Sequence, residues 1–117
     1  MSEFIEYPVV VALNSSRFGQ GNPRLGESLM KDFLHSLAIE ANWPDALLLY
    51  NSAVVLACSS SELHEELETL EKAGCAVIAS EESLEFYSLK EQKTCGQSAS
   101  MEAMTAILMR ADKVIKP

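Results

Sequence analysis

No stretch of this chain approaches the roughly 20 apolar residues that a membrane-spanning helix needs. The amino terminus, MSEFIEYPVV, carries acids and no basic cluster. It does not read as a secretory or transit signal, so a cytoplasmic protein is expected. Basic residues are scarce: nine Lys and Arg stand against seventeen Asp and Glu, for a net charge of −8. A field of that sign repels phosphate, which argues against nucleic acid and anionic membranes as partners. The three cysteines, Cys58, Cys75 and Cys95, form no C-x-x-C pair. Their odd number and wide spacing argue against a disulfide framework and a zinc site. His35 and His64 fall on separate helical segments. Neither a metal nor a cofactor is expected. No Gly-Lys-Ser/Thr loop, no G-x-S-x-G elbow, no internal repeat and no low-complexity tract occurs.

What is present suits one domain spanning residues 1–117, with 48% hydrophobic and 22% charged residues. Val9-Val10-Val11-Ala12-Leu13 is a continuous apolar run rich in β-branched residues, the pattern of a strand buried on both faces of a parallel sheet. A loop over 14–21 follows, and Asn22-Pro23 opens a helix as N-cap and first-turn proline. Leu25, Leu29, Phe33 and Leu37, flanked by Met30, Leu34 and Ala41, give that helix an apolar stripe. Ala46–Tyr50 reads as a second strand. The run Ala53–Cys58 fits either a strand or an irregular turn. Ser59 and Glu62 have capping-box spacing ahead of a helix with Leu63, Leu67 and Leu70 on its buried face. Gly74 ends it.

Ala76–Ala79 is the third strand, and the polar loop 80–83 leads into a short helix through Leu84, Phe86 and Leu89. A loop over 93–98, a last helix (Met101, Met104, Ile107, Leu108, Ala111) and a short strand at 113–116 complete the chain. This alternation implies an α/β fold with a mostly parallel sheet and helices on both faces.

In such a sheet, the loops leaving the carboxyl ends of the strands share one edge. The ligand-binding candidates there are Asn14, Ser15, Gly19 and Gly21 in the first loop, Asn51 and Ser52 in the second, and Ser80 and Ser83 in the third. The glycine loop could present backbone N–H groups to an anion. The loop of Cys95 is expected to return to the same edge beside a helix start. That placement, with Lys93 two residues away, would favour the thiolate and makes Cys95 the catalytic candidate. Cys75, at the start of a strand, reads as a core residue. Ser83 reads as the N-cap of the helix after it.

Six segments taken in order carry a resemblance. They are VVVALNS (9–15), GQGNPRLGESLMKDFL (19–34), LLLYNSAVVLA (47–57), SELHEELETLEKAGCAVIAS (61–80), SLEFYSLKE (83–91) and ADKVIKP (111–117). Together they resemble the DsrE-like domain of sulfurtransferase-like selenium-metabolism proteins of the YedF type. The N-terminal TusA-like domain of those proteins is not expected here, because the first strand begins at Val9. The resemblance implies a three-layer α/β/α fold with a mostly parallel sheet of about four to five strands. It also implies a cytoplasmic role in sulfur or selenium metabolism, a sulfur-relay partner protein and a homo-oligomer. The family pattern places C-G-T-C just before an L-x-F-Y segment, which is Leu84-Glu85-Phe86-Tyr87 here. Ser80 and Ser83 stand at the two cysteine positions. A serine hydroxyl cannot hold transferable sulfane sulfur. The expectation is therefore a degenerate sulfurtransferase-like protein acting as a binding or accessory subunit. The alternatives are an active persulfide carrier using Cys95 and a small-anion or nucleotide-binding module.

Overall fold

The computed structural model describes residues 6–39 and 43–117. Strands β1 (Val9–Leu13), β2 (Ala46–Leu49) and β3 (Ala76–Ser80) are the central apolar runs. β4 (Gln97–Ala99) and β5 (Lys113–Ile115) are short edge strands, and the sheet order is β4-β3-β2-β1-β5. The four strand pairings of this sheet are parallel, with Val11 opposite Leu47, Leu47 opposite Val77, and Ile78 opposite Gln97. Strands buried on both faces have no wet side to mark, which is why β1 and β2 lack polar alternation.

Helices α1 (Pro23–Ile39) and α2 (His64–Ala73) cover one face. Met30, Leu34, Leu67 and Leu70 pack there on Val11, Leu13, Leu47, Leu49 and Val77. The opposite residues of the same strands, Val10, Leu48 and Ile78, meet Met104 of α4 (Met101–Arg110) on the other face. This is a three-layer α/β/α arrangement, as expected. The large fully buried side chains lie at its centre, where burial of each contributes roughly 1.5–3 kcal/mol.

Several local expectations are corrected. In α1 the buried face is Gly26, Met30 and Leu34, whereas Leu25 is 57% exposed. Gly26 explains the rotation, because its missing Cβ lets α1 approach the Arg17 side chain, 3.0 Å from where that Cβ would lie. Ala41 lies outside the described residues. The run after β2 is neither strand nor irregular turn but a 3-10 segment, Asn51–Ala57. The Ser59–Glu62 capping box does not form; Ser61 Oγ instead accepts the Leu63 N–H at 3.0 Å. Gly74 does end α2, with φ 116 and its N–H on Glu71 O. The polar loop 80–83 is absent, because α3 (Glu81–Phe86) begins directly at the end of β3. The loop 93–98 ends early in β4 (Gln97–Ala99), whose sequence Gln-Ser-Ala is too short and polar for periodicity to mark it. No helix among the described residues is long and apolar enough to cross a membrane.

Candidate functional site

At the carboxyl edge of the sheet, hydrogen bonds tie together the loop after β1, the 3-10 segment after β2 and the helix α3. Ser52 Oγ accepts the Ser16 N–H at 3.4 Å, joining the loop after β1 to the segment after β2. Asn51, with φ 54, donates its N–H to Ser83 Oγ at 2.8 Å. Ser80 caps α3 by accepting the Ser83 N–H at 3.1 Å. Tyr87 donates its hydroxyl to Asn51 Oδ1 at 2.8 Å. Ser80, not Ser83, is thus the N-cap, because the helix starts earlier than its apolar residues suggest.

Asn51, Ser80 and Ser83 meet in one cluster, which lines a crevice of about 290 Å³. Asn14 is exposed on the same edge, and Ser15 Oγ accepts the Arg17 N–H at 3.0 Å. Gly19 and Gly21, with φ 80 and 126, lie in an exposed turn, and a Cβ added at either would meet nothing within 4 Å.

Cys95 is elsewhere. Gln97 pairs with Ile78, so Cys95 lies level with the start of β3, at the amino-terminal edge of the sheet. The expected neighbouring helix start is missing, because β4 intervenes before α4 begins at Met101. Cys95 is buried, at 6% exposure. The loop is held by Lys93 Nζ donating to Gly96 O at 2.7 Å and by Thr94 N–H donating to Ala57 O at 2.9 Å. Gly96, with φ 79, is required where it stands: a Cβ would lie 2.8 Å from Val77 O.

The three thiols, far apart in sequence, belong to one apolar cluster beneath α1 and α2. Cys58 Sγ contacts Val54 O at 3.4 Å, and Cys58 pairs across an isolated bridge with Lys93. Burial pushes the Cys95 thiol up to about 11, helped by the charges of Glu71 and Glu68 and opposed by Lys93. Cys58 is close enough to add to that shift. Burial also raises Cys75, to about 12, and raises Cys58, against which Lys93 acts. Among the described residues no group of His, Cys, Asp and Glu is arranged to hold a metal.

The expectation of a degenerate chain, with serines in place of its sulfur chemistry, is overturned. Cys58, Cys75 and Cys95 are all present as free buried thiols, so the chain has not lost its sulfur atoms. Ser80 and Ser83 have structural work of their own, as cap and as acceptor for Asn51. The grouping of the thiols was not legible in the sequence, because it depends on the pairing of 58 with 93 and on β4.

No family model and no curated protein matches this sequence. Solved structures are similar in three dimensions, among them the following two. The ychN protein of E. coli superposes with a TM-score of 0.64 at 14% identity, over 93% of this chain and 97% of its own. MTH1491 of Methanobacterium thermoautotrophicum, described as of unknown function, gives 0.70 at 15% identity, over 95% and 99%. At such identities the likeness shows the fold alone: this chain shares the three-layer α/β/α architecture of both.

Proposed function

We propose that the protein is a persulfide carrier that accepts sulfane sulfur on Cys95. The observation that carries this reading is the placing of two thiols together: the Cys58–Lys93 bridge sets Cys95, whose Sγ lies 4.0 Å from Ala57 O, beside Cys58. Cys95 is also less enclosed than Cys58 or Cys75, and it sits on the short connection into an edge strand with one neighbour.

The chemistry conserves atoms and needs no external oxidant. The Cys95 thiolate attacks the terminal sulfur of a donor persulfide, the donor S–S bond breaks, and a new S–S bond forms on Cys95. The departing donor thiolate takes the proton. Attack of Cys58 on the inner sulfur of that persulfide would release hydrosulfide and leave a Cys58–Cys95 disulfide. A thiol titrating at about 11 is almost wholly protonated at neutral pH. Loading therefore requires the 93–99 segment to open, moving Cys95 away from Glu68 and Glu71 and into water. In the closed state the same burial would shield the persulfide.

The six-segment resemblance supports the finer parts of the reading: a YedF-type role in sulfur or selenium metabolism, a cytoplasmic setting, a relay partner and self-association. The test is intact mass spectrometry after treatment with a low-molecular persulfide donor. The wild-type chain and Cys75→Ala should gain one sulfur atom, and Cys95→Ala none. Cys58→Ala should load and then retain its sulfur longer. An unchanged wild-type mass, or full loading of Cys95→Ala, overturns the proposal.

A further inference from the structure

The carboxyl-edge crevice has its own chemistry, independent of the cysteines. β2 and β3 are adjacent, so their ends set Tyr50 and Ser80 side by side, and α3 rises directly from that edge. Glu82 and Phe86 are four residues apart on α3, which puts them on one helix face. Both line the crevice, with Tyr50, Tyr87 and Met101 as further walls. The floor has little left to offer a ligand, because Asn51, Ser83, Ser80 and the Tyr87 hydroxyl are engaged with one another.

Two features of the walls remain unmatched. Phe86 is 81% exposed, set edge-on to Tyr87 with centroids 5.1 Å apart, and Met101 beside them is 47% exposed. Glu82 is the sole formal charge lining the crevice, and it takes part in neither ion pair found among the described residues, Arg17–Glu27 and Lys90–Glu85. Aromatic faces and a carboxylate both attract positive charge and both repel anions. The chain's net charge of −8 acts in the same direction.

We propose that this crevice binds an organic cation, a guanidinium or alkylammonium group held between the Phe86 and Tyr87 rings and the Glu82 carboxylate. The volume of about 290 Å³ suits a group the size of one long side chain. The opposite choice, an anion, would meet a like charge and no compensating cation in the lining. Such an exposed site binds weakly, with a dissociation constant on the order of millimolar, and is screened by salt.

The test is an NMR titration of the intact chain at low salt, following the aromatic resonances. Arginine amide and tetramethylammonium should each shift the Phe86 and Tyr87 ring signals saturably, and inorganic phosphate should not. Phe86→Ala and Glu82→Gln should each weaken binding by about threefold or more. Both changes are on exposed side chains, and the remaining amide dispersion reports whether the fold is kept. A neutral peptide with one arginine separates the sources: tighter binding than arginine amide assigns a partner's side chain, and equal or weaker binding assigns a small amine. Absence of saturable shifts with both cations, an equal response to phosphate, or unchanged affinity in Phe86→Ala overturns the inference. Cys95→Ala should bind as the wild type does, so failure of the sulfur-carrier proposal leaves this result unaffected.

Discussion

Replacing Gly96 by alanine should both destabilise the fold and expose Cys95. Gly96 has φ 79, in the left-handed region, which costs a residue with a Cβ about 1–2 kcal/mol. The added Cβ would also lie 2.8 Å from Val77 O and 2.9 Å from Val77 Cγ1. The carbonyl belongs to β3, an interior strand paired on both sides, and has little room to give way, so overpacking adds about 1–3 kcal/mol. The combined penalty is about 2–5 kcal/mol, and the segment that can relieve it is the one holding Cys95. Each 1.4 kcal/mol is a factor of about ten in a local opening equilibrium, so labelling of Cys95 by iodoacetamide should accelerate at least about 25-fold. Gly19→Ala is the control. Its φ is 80 but nothing lies within 4 Å of the new Cβ, so the backbone cost alone applies. Urea midpoints and labelling rates for both variants, with Cys95 identified by peptide mapping, provide the measurement. Equal stability losses at Gly96 and Gly19, or unchanged labelling of Cys95 in Gly96→Ala, would refute the reasoning.

Other consequences can be checked in the same way. Burial raises Cys75 to about 12 and Cys95 to about 11, so the folded chain holds protons that the unfolded chain loses. Their contribution to stability is complete below the ordinary thiol value near 9 and is lost as pH rises through 11 and 12. Denaturation midpoints should fall over that window, and less steeply in a Cys75→Ala, Cys95→Ala double variant; identical slopes would contradict the assignment. Ser80→Ala removes the cap on the Ser83 N–H and should cost about 1 kcal/mol by urea titration. Asn51→Ala keeps the left-handed backbone at φ 54 while losing the Tyr87 bond. It should cost about 1–2 kcal/mol, with Asn51→Gly recovering most of the backbone part.

The sequence by itself determined the layered architecture. Val9–Leu13 and Ala46–Leu49 are apolar without alternation, which is the mark of strands covered on both faces. The spacing of Leu67 and Leu70, with Gly74 behind them, set α2 and its end. The order of strands also brought Asn51, Ser80 and Ser83 to one edge, since parallel strands send their carboxyl ends the same way. These are local or periodic properties, and pattern carries them. What only the tertiary structure decided depends on pairing between distant residues. β4 is too polar and short to announce itself, yet its register with β3 moved Cys95 to the amino-terminal edge. The bridge of Cys58 to Lys93 drew distant thiols into one apolar cluster. Their burial, which no spacing rule contains, set their proton affinity through desolvation, with the charges of Glu71 and Glu68 adding to it at Cys95. The same applies to the exposed Phe86. Composition marks it as a core residue, and only the placement of α3 leaves it facing water beside a carboxylate.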